Sequence, residues 1–237
     1  MTDRFILGVP LGRWQTNCYL IGDRDTGRAV IIDPGEGATK VVNDLLSSLE
    51  LTLDGILLTH GHIDHLWSIP ELARQHETPV LLHPLDRWLF DNPAATFGGE
   101  AEVLVEQFGL DWDPPTAYLR DINDYDTLHI ANTSFRVAHT PGHTPGSVTF
   151  LIDDTAATPL TFALAGVDET PEKVLFSGDL LFQGSVGRTD FPRGSTEDLL
   201  EAIATRVMTL PDDTLVLAGH GPDTTVGEER ATNPFLR

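Results

Sequence analysis

Residues 53–65 read Leu-Asp-Gly-Ile-Leu-Leu-Thr-His-Gly-His-Ile-Asp-His, and this stretch restricts the possible folds more than any other in the chain. The apolar run Ile56-Leu57-Leu58 ends abruptly in four side chains able to bind metal: His60, His62, Asp64 and His65. A short apolar run bounded by Gly55 and Gly61 reads as a buried strand. From Asp64 to about Gln75 the spacing of Leu66, Ile69, Leu72 and Ala73 predicts a helix. The polar side chains therefore stand where a strand hands over to a helix, an edge position that faces a crevice. In extended backbone His60 and His62 project to one side and can share one divalent ion, while Asp64 and His65 point elsewhere, which suits a second. Neutral imidazole suits Zn, Fe and related metals, and a carboxylate adds a hard oxygen ligand.

Three further stretches repeat the same grammar, an apolar strand stopping at a ligand-type residue beside glycine. They are Phe135 to Ser147 with Thr140-Pro141-Gly142-His143-Thr144-Pro145-Gly146, Val174 to Asp179 with Ser177-Gly178-Asp179, and Leu215 to Pro222 with Gly219-His220-Gly221. A glycine next to a ligand lets the backbone turn sharply and approach closely.

The elements around these stretches alternate. Strands are expected at Phe5–Val9, Asn17–Ile21 and Ala29–Ile32, the last two as a hairpin, followed by an amphipathic helix over residues 38–50. Pro79–His83 reads as another strand, so the order to this point is βββαβαβ. Residues 84–125 carry Trp88, Phe90, Phe97, Phe108, Trp112 and Tyr118 with weak periodicity, and read as an irregular or partly helical excursion, either an aromatic lid over the site or a loop packed by its aromatics. Strands return at Thr127–Ile130, Ser134–Ala138, Ser147–Ile152 and Lys173–Ser177, with Leu160–Ala165 expected in an extended hairpin. A helix over Thr196–Met208 capped by Ser195, a strand at Asp213–Leu217 and a short helix near Val226–Ala231 complete the chain. Periodicity alone gives a mixed α/β fold in two sets of elements, one before about residue 83 and one after about residue 126.

Composition excludes several classes of partner. With 15 Lys and Arg against 36 Asp and Glu the net charge is −21, which opposes binding to nucleic acid phosphates or to an anionic membrane surface. The single cysteine, Cys18, lies in an apolar run and reads as a small buried hydrophobe, so no disulfide framework exists. No run approaches the ~20 apolar residues of a membrane span, and the N-terminal residues lack a basic lead with an apolar core; the cytoplasm is the expected compartment. A length of 237 residues is enough for one large α/β domain or two small ones, and a single domain over residues 1–237 is expected.

Taken in order, Thr59-His60-x-His62-x-Asp64-His65, Thr140-Pro141-Gly142-His143-Thr144-Pro145-Gly146-Ser147, Ser177-Gly178-Asp179 and Gly219-His220-Gly221-Pro222 resemble the metallo-β-lactamase superfamily. Phe182 to Asp190 and the tail from Gly221 through Pro234 resemble its glyoxalase II (hydroxyacylglutathione hydrolase) branch. The resemblance covers most of the chain and is weakest over 84–125 and near 155–171. It implies a four-layer αβ/βα sandwich, two mixed β-sheets flanked by helices, with metals at one edge between the sheets.

Carried over residue by residue, the resemblance implies that His60, His62 and His143 hold one ion, that Asp64, His65 and His220 hold a second, and that Asp179 bridges them together with a hydroxide. The ions would be divalent, zinc first and iron or manganese as alternatives. The implied reaction is hydrolysis of a small-molecule thioester, S-D-lactoylglutathione or a related hydroxyacyl thioester, by the bridging hydroxide, with Asp64 and Asp179 as the catalytic carboxylates. Longer members of the branch bind glutathione carboxylates through a helical C-terminal extension that is not expected here, so Arg188, Arg230 and Arg237 are the candidate anion contacts, and another low-molecular-weight thiol could replace glutathione. A monomer or small homo-oligomer is expected. The competing readings are a mononuclear-iron persulfide dioxygenase, a lactonase or β-lactamase of the same fold, and a non-catalytic metal-binding protein. Asp33 is either a turn former or an acceptor oriented toward a ligand, and His83 either a strand cap or a near-site residue. His139 is expected to be structural or to support a ligand, His76 and His129 to lie on the surface or in turns, and Trp67 to pack where relatives carry a small residue.

Overall fold

The computed structural model describes residues 3–97, 108–153, 155, 160–163 and 171–237. A first sheet of seven strands has the spatial order β10-β1-β2-β3-β4-β5-β6, built from β1 (Arg4–Leu11), β2 (Thr16–Asp23), β3 (Arg28–Ile32), β4 (Thr52–Leu57), β5 (Val80–Leu82), β6 (Leu119–Asp121) and β10 (Leu160–Ala163). The second, six-stranded sheet runs β15-β14-β11-β9-β8-β7, from β7 (Thr127–Ile130), β8 (Thr133–His139), β9 (Val148–Ile152), β11 (Val174–Gly178), β14 (Leu215–Ala218) and β15 (Thr224–Thr225). Both are mixed. Strands β3 to β6 are parallel neighbours and β1 to β3 antiparallel, while β11 and β14 pair in parallel and β7 to β9 antiparallel.

Alternation along each strand explains the layers. In β3, Val30 and Ile32 face the second sheet and pack with Ile6, Leu57, Phe135, Phe150 and Phe176. Ala29 and Ile31 face the other way, against α1 (Ala38–Ser48), α2 (Ile63–Leu66) and α3 (Ile69–His76) through Val42, Leu46, Leu66 and Leu72. On the far side of the second sheet, Leu151, Leu175 and Val216 pack against α5 (Thr196–Ala202) and α6 (Val226–Thr232) through Leu199, Ala202 and Val226. A sheet buried on both faces needs strands that read as continuous apolar runs, which is what Ala29–Ile32 and Ile56–Leu58 supply. The result is helix, sheet, sheet, helix: the expected four-layer sandwich.

Three expectations change. The helix predicted from Asp64 to Gln75 is two helices, α2 and α3, with a break at Trp67-Ser68. Pro70 has no N–H and its ring would collide with the carbonyl of Leu66 in a continuous helix, while Ser68 donates its hydroxyl to the Gly35 carbonyl at 2.6 Å and holds the turn. Among the described residues β10 has no local hairpin partner; it pairs in parallel with β1, covering an edge of the first sheet that would otherwise expose unpaired backbone groups. The excursion at 84–125 contains the helix α4 (Arg87–Asp91) and also β6, which extends the first sheet beside β5. The Thr196–Met208 helix ends in a π-turn over Ile203–Val207, and the Ser195 hydroxyl accepts the Asp198 N–H as expected of its cap.

Candidate metal centre

All the sequence-predicted ligand residues lie at strand ends on one edge of the sandwich. His60 and His62 follow β4, Asp64 and His65 open α2, His143 lies between β8 and β9, Asp179 follows β11, and His220 follows β14. The two halves are joined there by the Val148 N–H, which donates to the Thr59 carbonyl at 2.8 Å, and by the Asn17 N–H, which donates to the Gly219 carbonyl at 2.8 Å.

Two sets of donors face each other. In the first, His62 Nδ1 lies 3.1 Å from His60 Nε2 and 2.8 Å from His143 Nε2. In the second, Asp64 Oδ2 lies 3.4 Å from His65 Nε2 and 3.1 Å from His220 Nε2. Asp179 stands between them, with Oδ1 3.3 Å from His65 Nε2 and Oδ2 3.5 Å from His143 Nε2 and 3.6 Å from His220 Nε2. Each set places its ligand atoms close enough to surround a single ion.

Four of the five rings are oriented by a partner on their far nitrogen. His143 Nδ1 donates to the Arg188 carbonyl at 2.7 Å, His220 Nδ1 to the Trp14 carbonyl at 3.1 Å, and His65 Nδ1 to Asp33 Oδ2 at 3.0 Å. The Thr59 hydroxyl donates to Asp33 at 2.6 Å, so it accepts from His60 Nδ1 at 3.1 Å. Each of these contacts holds a proton on the far nitrogen, so Nε2 is the atom turned to the site and the one a metal ligand would use. Thr16 steadies the carboxylate of Asp64 with a hydroxyl donated at 3.2 Å.

The fit to cations rests on what this arrangement leaves unanswered. A single proton on His62 Nδ1 can serve only one of the two Nε2 atoms that crowd it. His65 Nε2 and Asp179 Oδ1 are buried with no hydrogen-bond partner, an arrangement that native proteins rarely tolerate without an ion or water. Burial, then neighbouring His65 and His143, holds His60 well below the usual histidine range, and burial and His143 push His62 down to about 3, so both are neutral donors. Burial opposes ionisation of Asp64, but His65 and His220 outweigh it and hold it at about 2. Burial likewise opposes charge on His65, yet Asp64, Asp179 and Asp33 together raise it well above its ordinary value. Two partly buried carboxylates thus demand positive charge at this spot, and the neutral imidazoles of His60 and His62 beside them offer lone pairs. The donor set fits two divalent cations.

The sequence model of the metallo-beta-lactamase superfamily matches residues 11–155 and 164–220. The chain belongs to that superfamily. It is 36% identical to the hydroxyacylglutathione hydrolase GloC of Haemophilus influenzae over 96% of each chain. Among solved structures it resembles the B3 metallo-beta-lactamase BLEG-1 (TM-score 0.79, 36% identity, 98% of this chain and 99% of that one). It also resembles TTHA1623, solved in a di-iron-bound form (TM-score 0.76, 36% identity, 97% of this chain and 100% of that one). The metallo-hydrolases of this superfamily bind divalent metals, often two, and the fold described above is the metallo-β-lactamase fold.

In this superfamily member a cleft of about 580 Å³ opens over the centre, walled by Trp14, Phe97, Phe182, Val186 and Phe191 and floored by His62, Asp64, His143, Asp179 and His220. His60, His62, His65 and His143 are almost fully buried, whereas His220 keeps over a quarter of its side chain exposed, so the centre is open on the His220 side. Phe182 belongs to a short hairpin of β12 (Leu181–Phe182) and β13 (Ser185–Val186). The buried carboxylate of Glu229 in α6 anchors this hairpin by accepting the Gly184 N–H at 2.8 Å, while Asn233 donates to the Ser185 carbonyl at 3.0 Å. This is the structural use of the tail motif.

The cations expected to contact substrate separate. Arg188 lines the cleft, but its guanidinium is held by both oxygens of Asp190 at 2.6 Å and lies over the Phe191 ring. Arg230 does not line the cleft; it reaches the Met208 and Leu210 carbonyls and pairs with Asp212, because its place in α6 turns it to the outer surface. Arg237 is engaged with the Ala231 and Thr232 carbonyls.

Asp33 serves as both turn former and acceptor, at φ 52° and with bonds from Thr59 and His65. His83 accepts the Leu85 N–H as a cap and stacks on His139, ring centroids 4.3 Å apart; His139 in turn donates to the Pro145 carbonyl at 2.8 Å in the His143 loop. His76 pairs with Asn43 and His129 with Ser134, away from the centre. Cys18 is buried, its thiol pushed up by burial and then by Asp33. Trp67 packs beside Trp14 and Phe108, with the Arg13 guanidinium over all three rings. The proposed lid falls partly on residues 98–107, outside the described residues; of its described part, Thr96 and Phe97 reach the cleft. Sequence reasoning missed the Trp14 and Arg188 carbonyls, because a backbone acceptor leaves no mark on residue type.

Proposed function

We propose that the protein is a two-metal hydrolase that cleaves a thioester, S-D-lactoylglutathione or a related hydroxyacyl thioester. The observation that carries this reading is the position of Asp179, whose one carboxylate reaches the ligand atoms of both sets. GloC, whose name states hydroxyacylglutathione hydrolysis, supports the choice of substrate. Bound divalent ions supply a water whose pKa is lowered toward neutrality and a Lewis acid for the carbonyl. His60, His62 and His143 would hold one ion and Asp64, His65 and His220 the other, with Asp179 between them; zinc fits the nitrogen-rich set, and iron is compatible with it. Thr16 and the Trp14 carbonyl keep Asp64 and His220 in place at the cleft floor. The aromatic walls hold the acyl thioester against that floor. The leaving thiolate comes from a thiol of pKa about 8.5 and needs no strong general acid. The reading includes a cytoplasmic, single-domain protein acting on a free small molecule, without nucleic acid or membrane partners.

The test is hydrolysis of S-D-lactoylglutathione by purified zinc-loaded protein, followed by loss of thioester absorbance, with metal counted per chain. Two ions with turnover that disappears in Asp179→Ala are expected. One iron per chain with oxygen uptake on a persulfide, or full activity in metal-depleted Asp179→Ala, would overturn the reading.

A further inference from the structure

Asp86 is fully buried and lies outside both donor sets, yet its carboxylate ties together the two loops that carry the first set. Oδ2 accepts the Gly61 N–H at 2.9 Å and the Thr144 hydroxyl at 2.6 Å, and Oδ1 accepts the Gly146 N–H at 2.7 Å. Gly61 stands between His60 and His62, and Thr144 directly follows His143. One loop leaves the first sheet after β4 and the other joins β8 to β9 in the second. The carboxylate is thus a three-point link between ligands contributed by different sheets. The contact is tight by construction, since a side chain on Gly146 would put its Cβ 2.6 Å from Asp86 Cγ. Asp86 itself is set by its N–H, which donates to the His83 carbonyl at the end of β5.

We propose that Asp86 is a positioning residue that fixes the spacing of His62 and His143 and so sets the affinity of the first donor set for a divalent ion. The inference rests on the reading of that set as a metal site. Two of the three donors to Asp86 sit next to ligands, the Gly61 N–H between His60 and His62 and the hydroxyl of Thr144 beside His143, so loss of an acceptor moves the ligands themselves. Asparagine has the same shape but offers only one oxygen. Its NH₂ group must meet either the Gly146 N–H or the Gly61 N–H, leaving a buried donor unpaired. Nothing in this link touches Asp64, His65 or His220, so the second set should be spared.

The experiment is titration of metal-free wild-type, Asp86→Asn and Thr144→Val proteins with Zn²⁺ against a chromophoric chelator, alongside thermal melts of the metal-free forms. Partners that orient metal ligands are typically worth ~10–100-fold in affinity. Asp86→Asn is expected to weaken one of two sites by that factor and leave the other unchanged. Thr144→Val, which removes one of the three bonds, is expected to weaken the same site by a few-fold, and it decides the question if Asp86→Asn does not fold. Two sites of wild-type affinity in the folded variants, with only a lower melting temperature, would overturn the inference and leave Asp86 a structural residue. Equal weakening of both sites would also overturn it. Wild-type protein that binds no divalent ion would overturn the metal reading beneath it.

Discussion

Asp33 Oδ2 lies 3.0 Å from His65 Nδ1, and the same oxygen accepts the Thr59 hydroxyl at 2.6 Å. Through that hydroxyl the carboxylate also orients His60, so one residue at the end of β3 steers a ring in each donor set. Asp33→Asn is the informative variant, because asparagine also tolerates the left-handed backbone at φ 52°. Loss of one acceptor should lower affinity for both ions by roughly 10–100-fold. Competitive metal titration checks this, and unchanged affinities at both sites would exclude the orienting role.

Gly219 stands against the carboxylate of Asp179, which lies between the two donor sets. A Cβ at this position would lie 2.2 Å from Asp179 Oδ1 and 2.8 Å from His65 Cε1. Gly219→Ala must therefore displace Asp179 or the His220 loop. A displacement near 1 Å at a reacting centre can cost ~100-fold in rate. The expected outcome is a fall of about that size in kcat for the thioester, with near-normal far-ultraviolet circular dichroism; a variant of wild-type kcat would show that the centre adapts freely.

Removal of metal should destabilise the fold. Without ions the crowded imidazole lone pairs and the orphaned Asp179 Oδ1 lose the group that satisfies them. A ligand present at 1,000 times its dissociation constant stabilises by about 4 kcal/mol, or on the order of 10 °C in Tm for a domain of this size. Chelation followed by thermal melting measures the difference, and readdition of zinc should restore it. Identical melting curves with and without chelator would argue against tight binding at either set.

The stacked His83–His139 pair should make the fold sensitive to acid. Burial, with the charge of His139 adding to it, lowers His83 to about 4. The unfolded chain binds this proton below a pKa of ~6.5, while the folded protein resists it until near pH 4. The stabilisation is fully present above pH ~6.5 and declines as the pH falls toward 4. His83→Phe keeps an aromatic surface for the stack and removes the titration. Urea midpoints of the metal-free proteins should therefore fall less steeply between pH 7 and 4.5 in the variant than in the wild type; parallel slopes would assign the acid sensitivity elsewhere.

The candidate donors share one strand-end pattern. His60, His62, Asp64, His65, His143, Asp179 and His220 are legible because an apolar strand that stops at a histidine or aspartate beside glycine has few other uses. Pro70 marks the helix break at Ser68 in the sequence, although the periodicity of Leu66, Ile69 and Leu72 runs across it. The extended run at Leu160–Ala163 is legible but its partner is not, since a parallel pairing with β1 across more than 150 residues leaves no local pattern. Arg188 and Arg230 could not be told apart by residue type: one stands at the cleft and the other on the outer surface of α6.

By itself the sequence determined which residues can donate to metal, the alternation that buries both faces of each sheet, and the positions where strands must end. Side-chain chemistry and the two-residue period of a strand are local properties, and the chain carries them wherever it folds. Only the tertiary structure decided that the donors form two facing sets with Asp179 between them, that Asp33 and the Trp14 and Arg188 carbonyls select the histidine tautomers, and that Asp86 joins the loops of two sheets. Those are distances between groups far apart in the chain, many of them backbone atoms common to every residue, and they exist only once the two sheets have packed.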